Sequence, residues 1–77
     1  MTKKGEIIMT VNDIINLLEI NTMVEVIQGY SELVRFESEH RYAIKDEILS
    51  MEIKNFGIRF RENAIIQEEI YINVKEQ

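Results

Sequence analysis

MTVNDIINLLEINTMVEVIQGYSELVRFES, residues 9–38, decides the fold, because its apolar period changes partway along. In the first half Val11, Ile14, Ile15 and Leu18 recur at i, i+3, i+4 and i+7, with Leu17 widening the stripe, which is one face of a helix. Thr10 supplies an N-cap hydroxyl, and Asp13 stands at N3, the place of the capping-box acid. Met9 and Ile14 have the spacing of a hydrophobic staple. A helix is therefore expected over Val11 to Glu19, ending near Asn21, which tolerates a left-handed cap position. The period then falls to two. Val24 and Val26 share one face, Ile27 takes the other, and Met23 to Gln28 reads as a strand. Gly29-Tyr30-Ser31-Glu32 is a turn in which Gly29 accepts positive φ. Leu33 to Ser38 returns with Val34 and Phe36 inward, completing a β-hairpin.

Beyond the hairpin, Glu39-His40-Arg41 is a polar connection. Ala43, Ile44 and Ile48 offer a short second helix with Lys45, Asp46 and Glu47 outward. Leu49, Met51 and Ile53 then alternate with polar residues, but from Asn55 the inward set becomes Phe56, Ile58 and Phe60. A slip of one residue flips every later side chain, so a β-bulge at Asn55, or a bend helped by Gly57, is expected. Glu62-Asn63 makes a turn, after which Ala64, Ile66, Ile70, Ile72 and Val74 share one parity, interrupted by Glu68. This is a last strand, strongest over Ile70 to Val74. Ile65, Ile66, Glu69 and Ile70 also fit a helix over Glu62 to Glu69, and short apolar runs leave both readings open. The fold class is α+β: an N-terminal helix on a four-stranded, mostly antiparallel sheet, in the order α-β-β-(short α)-β-β.

A chain of 77 residues holds one domain with a small core. Domains of this size usually add disulfides, a metal or a second subunit. With no Cys and one His, disulfides and the usual Cys/His zinc sites are excluded, which leaves a homodimer or a tight complex as the expectation. No run approaches the roughly 18 apolar residues of a membrane span, and no secretory signal is present, so a cytoplasmic protein is expected. The formal net charge of −5 argues against phosphate-backbone binding, yet suits a surface that imitates nucleic acid toward a basic protein.

Catalytic chemistry finds few parts. A triad would reduce to a Ser plus His40, itself placed in a solvated segment between Glu39 and Arg41. Carboxylate pairs occur at Glu37/Glu39, Asp46/Glu47 and Glu68/Glu69, but acid–base work needs one carboxylate in a cleft, and a one-helix sheet has little room for that. Glu68 alone points coreward by parity. The three glycines are isolated, so no phosphate loop exists. No enzyme activity, cofactor or metal is expected. Two binding surfaces are nominated instead. Glu37, Glu39, Glu68 and Glu69 with Tyr30 and Tyr71 form an acidic, tyrosine-bearing candidate for a protein partner. Lys54, Arg59 and Arg61 are candidates for clasping a small anion such as a nucleotide, which would make the chain a sponge for that signal. A third reading is a structural or regulatory subunit pairing through a sheet edge.

The run from Met9 through Leu18, the run Thr22 to Gly29, Ile48 to Ile53 and the closing Ile-Tyr-Ile-Asn-Val resemble small accessory proteins of phages and prophages of low-GC Gram-positive bacteria. The likeness covers most of the chain through its core pattern and carries no functional residue across. It implies an anti-CRISPR or other anti-defence protein that inhibits a host effector by direct binding.

Residues 3–9, Lys-Lys-Gly-Glu-Ile-Ile-Met, back-translate in AT-rich codons to AAA-AAA-GGA-GAA-ATA-ATA-ATG, which holds a ribosome-binding sequence ahead of a start codon. The 14 Ile and two Ala fit an AT-rich genome. The expectation is that residues 1–8 are a non-native leader and that the domain is 9–77, with the charge moving from −5 to −6. A mass spectrum of the protein from its host should begin at Met9; a full-length product contradicts this.

Overall fold

Thr10 starts the fold. In the computed structural model, which describes residues 8–61 and 67–76, its hydroxyl accepts from the Asp13 backbone N–H at 3.3 Å. The Asp13 carboxylate in turn accepts from the Thr10 N–H at 2.9 Å, completing the capping box. Helix α1, Val11–Asn16, follows and buries Val11, Ile14 and Ile15 against the sheet. It is shorter than its apolar stripe predicts. The N–H groups of Leu17 and Leu18 bond to carbonyls three residues back, which tightens the last turn and leaves Leu17 67% exposed. No non-glycine among the described residues has positive φ, so Asn21 is not a left-handed cap. Asn21 instead ties the helix exit to the far end of the hairpin. Its Oδ1 accepts from the Glu39 N–H at 3.0 Å and the Ser38 hydroxyl at 3.3 Å, and its Nδ2 donates to Glu37 at 3.2 Å.

Strands β1, Met23–Gln28, and β2, Ser31–Glu37, pair antiparallel as expected. The turn is tighter than the sequence suggests. Only Gly29 and Tyr30 lie between paired residues Gln28 and Ser31, and Gly29 takes φ 62°. Two short 3-10 turns over Ser38–Ala43, kinked at His40, lead to helix α2, Asp46–Leu49. Leu49 thus closes a helix rather than opening a strand. Met51 to Ile53 run beside the entry to α1, with Val11 N–H donating to Met51 at 3.1 Å and Ile53 N–H to Met9 at 2.9 Å. Strand β3, Ile53–Arg61, pairs antiparallel with β4, Gln67–Val74. Their register shifts between Ile53 and Asn55, so the expected slip is a bulge with Lys54 as the extra residue. Gln67 to Glu69 belong to β4, which excludes a helix reaching Glu69. The Glu62-Asn63 turn, Ala64, Ile66 and leader residues 1–7 lie outside the described residues.

The class is α+β, but the sheet is mixed. Its order is β2-β1-β4-β3, with β1 and β4 parallel at the centre. The two hairpins are local; their joining depends on the matched apolar parity of Val24 with Ile70 and Val26 with Ile72. Those four, with Phe36, Val74 and the buried side chains of α1, are the core. Phe56 and Ile58 face the same side, level with Ile72 and Ile70, and Phe60 is level with Glu68. They were expected to be inward, yet they are 50%, 63% and 62% exposed. A helix about 10 Å in diameter covers about two strands spaced roughly 4.8 Å apart, so α1 does not reach β3. No described helix is long and apolar enough to cross a membrane.

Urea denaturation tests both ends of this hierarchy. Thr10→Ala should cost about 1 kcal/mol through the lost cap. Ile72→Ala, at the centre of the core, should cost about 2–5 kcal/mol.

Candidate functional site

Alternation places Glu25, Arg35, Arg59, Glu69 and Tyr71 on the sheet face away from α1, each out of step with the core residues beside it. Two ion pairs cross on that face. Arg35 on β2 donates to Glu69 on β4 at 2.6 Å, reaching over β1. Arg59 on β3 donates to Glu25 on β1 at 2.5 Å, reaching over β4. The Arg59 guanidinium also lies over the Tyr71 ring, 5.3 Å from its centre. That ring occupies the space above Gly57, where a Cβ would come within 2.6 Å of Tyr71 Cζ. Glu69 ends 1% exposed. Burial raises the Glu25 carboxyl, but its hydrogen bond with Glu32 and the Arg59 and Arg35 charges outweigh that and hold it below its ordinary 4.5.

This lattice absorbs three of the nominated residues. Glu69 is buried and Tyr71 is half-buried beneath Arg59, so neither stands out from the surface. Arg59 is engaged by Glu25. Lys54 sits in the bulge, five residues away and roughly 16 Å along the strand. The Arg61 side chain lies outside the described residues. Lys54 and Arg59 are thus not gathered into one anion clasp.

The remaining acids do gather. The exit of α1, the starts of β1 and β4 and the end of β2 meet at one end of the sheet. Ile20, Asn21, Met23, Glu37 and Glu68 border a shallow groove of about 320 Å³ there. A neighbouring groove of about 440 Å³ shares Ile20 and Asn21 and adds Glu19, Glu39, Arg41 and Tyr42. Glu68 has the coreward parity its spacing predicts, but it is exposed because it starts β4 beyond the cover of α1. Ile20 stands 73% exposed among these carboxylates. His40 lies beside them, its Nδ1 3.3 Å from Glu37 and its Nε2 3.8 Å from Glu39. These three bring potential metal-ligating atoms within 4.8 Å of one another, but Glu39 and His40 are exposed, and we assign no metal to them. Tyr30 is fully exposed at the hairpin tip, at the opposite end, where it shares an open groove with Lys54, Asn73 and Lys75.

Sequence reasoning missed Glu25 and Arg35, and it missed Glu19 and Ile20 as members of the acidic end. Charged residues at outward parity on neighbouring strands were a signal for the first pair. An isoleucine out of step with the helical stripe was a signal for Ile20.

The depressed Glu25 carboxyl stabilises the fold fully above pH 4.5, and this contribution is lost as pH falls through its lower folded value. Thermal melts from pH 7 downward should therefore show Tm falling below about pH 4.5, and Glu25→Gln should flatten that limb. No protein-family model matches this chain, and no curated protein or solved structure shows significant similarity to it.

Proposed function

We propose that this chain is a non-enzymatic binding protein of the phage or mobile-element type its sequence resembles, which inhibits a host protein by direct contact through its acidic end. The observation that carries this reading is the grouping of Glu19, Glu37, Glu39 and Glu68 around exposed Ile20. An apolar centre inside a charged rim is the anatomy of a protein interface. The carboxylates give that rim the sign needed for a basic groove, such as one that normally holds nucleic acid. Arg41 is the one cation among the residues bordering the two grooves, and it is engaged by the Asn16 side chain. On the sheet face away from α1, Arg35 pairs with Glu69 and Arg59 with Glu25, so those charges are balanced within the sheet. The working compartment is the cytoplasm of the bacterial host, and the working form is a homodimer.

The nucleotide-sponge reading has weaker support, since Arg59 is committed to Glu25 and stands far from Lys54.

Affinity capture from a host lysate tests the proposal. The protein should retain a basic host factor that is released as ionic strength rises from about 0.1 to 1 M, where the Debye length falls from about 10 to 3 Å. Glu39→Lys/Glu68→Lys should abolish retention while leaving the circular dichroism spectrum unchanged. Retention that ignores salt, or that survives the double reversal, contradicts the reading.

A further inference from the structure

Strand β3 is an edge of the sheet, and its apolar helix-side face is half-exposed, with no described helix lying over it. Met9 holds Ile53 at the start of the strand, but among the described residues no other strand lies along its outer side. An exposed edge carrying Phe56, Ile58 and Phe60 at 50–63% exposure is a template for another strand.

The strand's own sequence selects the occupant. Asn55-Phe56-Gly57-Ile58-Arg59-Phe60-Arg61 is nearly symmetric about Ile58. We propose that a second copy of this chain pairs antiparallel along β3, about a two-fold axis at Ile58, to make one eight-stranded sheet. In that register Phe56 faces Phe60 of the second copy and Ile58 faces its own counterpart, giving an unbroken apolar strip across the seam. On the other face Arg59 stands opposite Gly57, so the two Arg59 side chains do not meet. Neighbouring registers are worse. Centring on Arg59 sets Arg59 against itself, and centring on Gly57 sets Phe60 against Lys54 in the bulge. Odd shifts would place apolar residues opposite charged ones.

The exposed parts of the three side chains amount to roughly 350 Å² per copy. Both copies, with the strand backbones and flanking side chains, approach the lower end of stable interfaces, about 1,200 Å². The charge geometry agrees. Antiparallel pairing sends the two acidic ends in opposite directions, which limits repulsion between copies that each carry −5. The inference stands whatever the acidic end binds.

Sedimentation of the full chain should give a dimer of twice 9.1 kDa at micromolar concentration, dissociating on dilution. Ile58→Lys puts two cations at the axis and should weaken dimerisation roughly tenfold or more while the circular dichroism spectrum stays unchanged. The chain has no Cys, so single cysteines report register cleanly. Ile58→Cys should cross-link under mild oxidation, because directly opposed residues lie about 5 Å apart. Asn55→Cys should not, because its counterparts lie roughly 20 Å apart. The proposal is overturned by a chain that stays monomeric, by a dimer indifferent to Ile58→Lys, or by cross-linking at position 55 instead of 58. A monomer that Ile58→Lys destabilises would show the strip covered from within the chain, and that too overturns it.

Discussion

The packing of α1 across the centre of the sheet is the interaction on which the other features depend. Its three buried residues meet the apolar rows of β1 and β4 and hold those strands parallel in the middle. The capping box starts the helix at Thr10, and the backbone bonds around Thr10 tie that start to Met51–Ile53 beside β3. The helix then ends after six residues, and the Asn21 side chain carries its exit to the end of β2. One short helix thereby organises all four strands but covers only part of them.

The two sheet faces resolve that shortage differently. Among the described residues no helix lies on the face away from α1, and crossed ion pairs close it. Each arginine reaches a carboxylate two strands away, so β2 is linked to β4 and β1 to β3. The pairing buries Glu69 and lays Tyr71 over Gly57, which gives a sheet face without an apolar layer a packed surface. The same pairing uses up cations that the sequence offers to a ligand. Glu19, Glu37, Glu39 and Glu68 gather instead at the end where α1 stops, around Ile20.

Much of this was legible in the sequence, and the losses have physical causes. Thr10 and Asp13 announced the cap because capping is local, and the hairpin at Gly29 and the bulge after Ile53 were legible for the same reason. The parallel joining of β1 to β4 was not, since residues far apart in the chain meet through parity alone. Parity puts Phe56, Ile58 and Phe60 on the correct face but does not bury them, because parity gives a side and not a cover. Glu68 and Glu69 show the limit most sharply. Spacing sends Glu68 coreward, yet it is exposed at the strand's start, while outward-facing Glu69 is buried by an arginine from β2. Of the nominated acidic surface, Glu37, Glu39 and Glu68 share one end, and Tyr30 sits at the other.

The sheet is half-covered on its helix side, and the proposed pairing along β3 would complete it while leaving the acidic ends to the proposed partner. Hydrogen exchange across a dilution series is the most direct measurement of that claim. The outward-facing amides of β3 between Phe56 and Phe60 should be protected at high concentration and exchange quickly on dilution, while β1 and β4 remain protected throughout. Exchange in β3 that does not change with concentration would contradict the account.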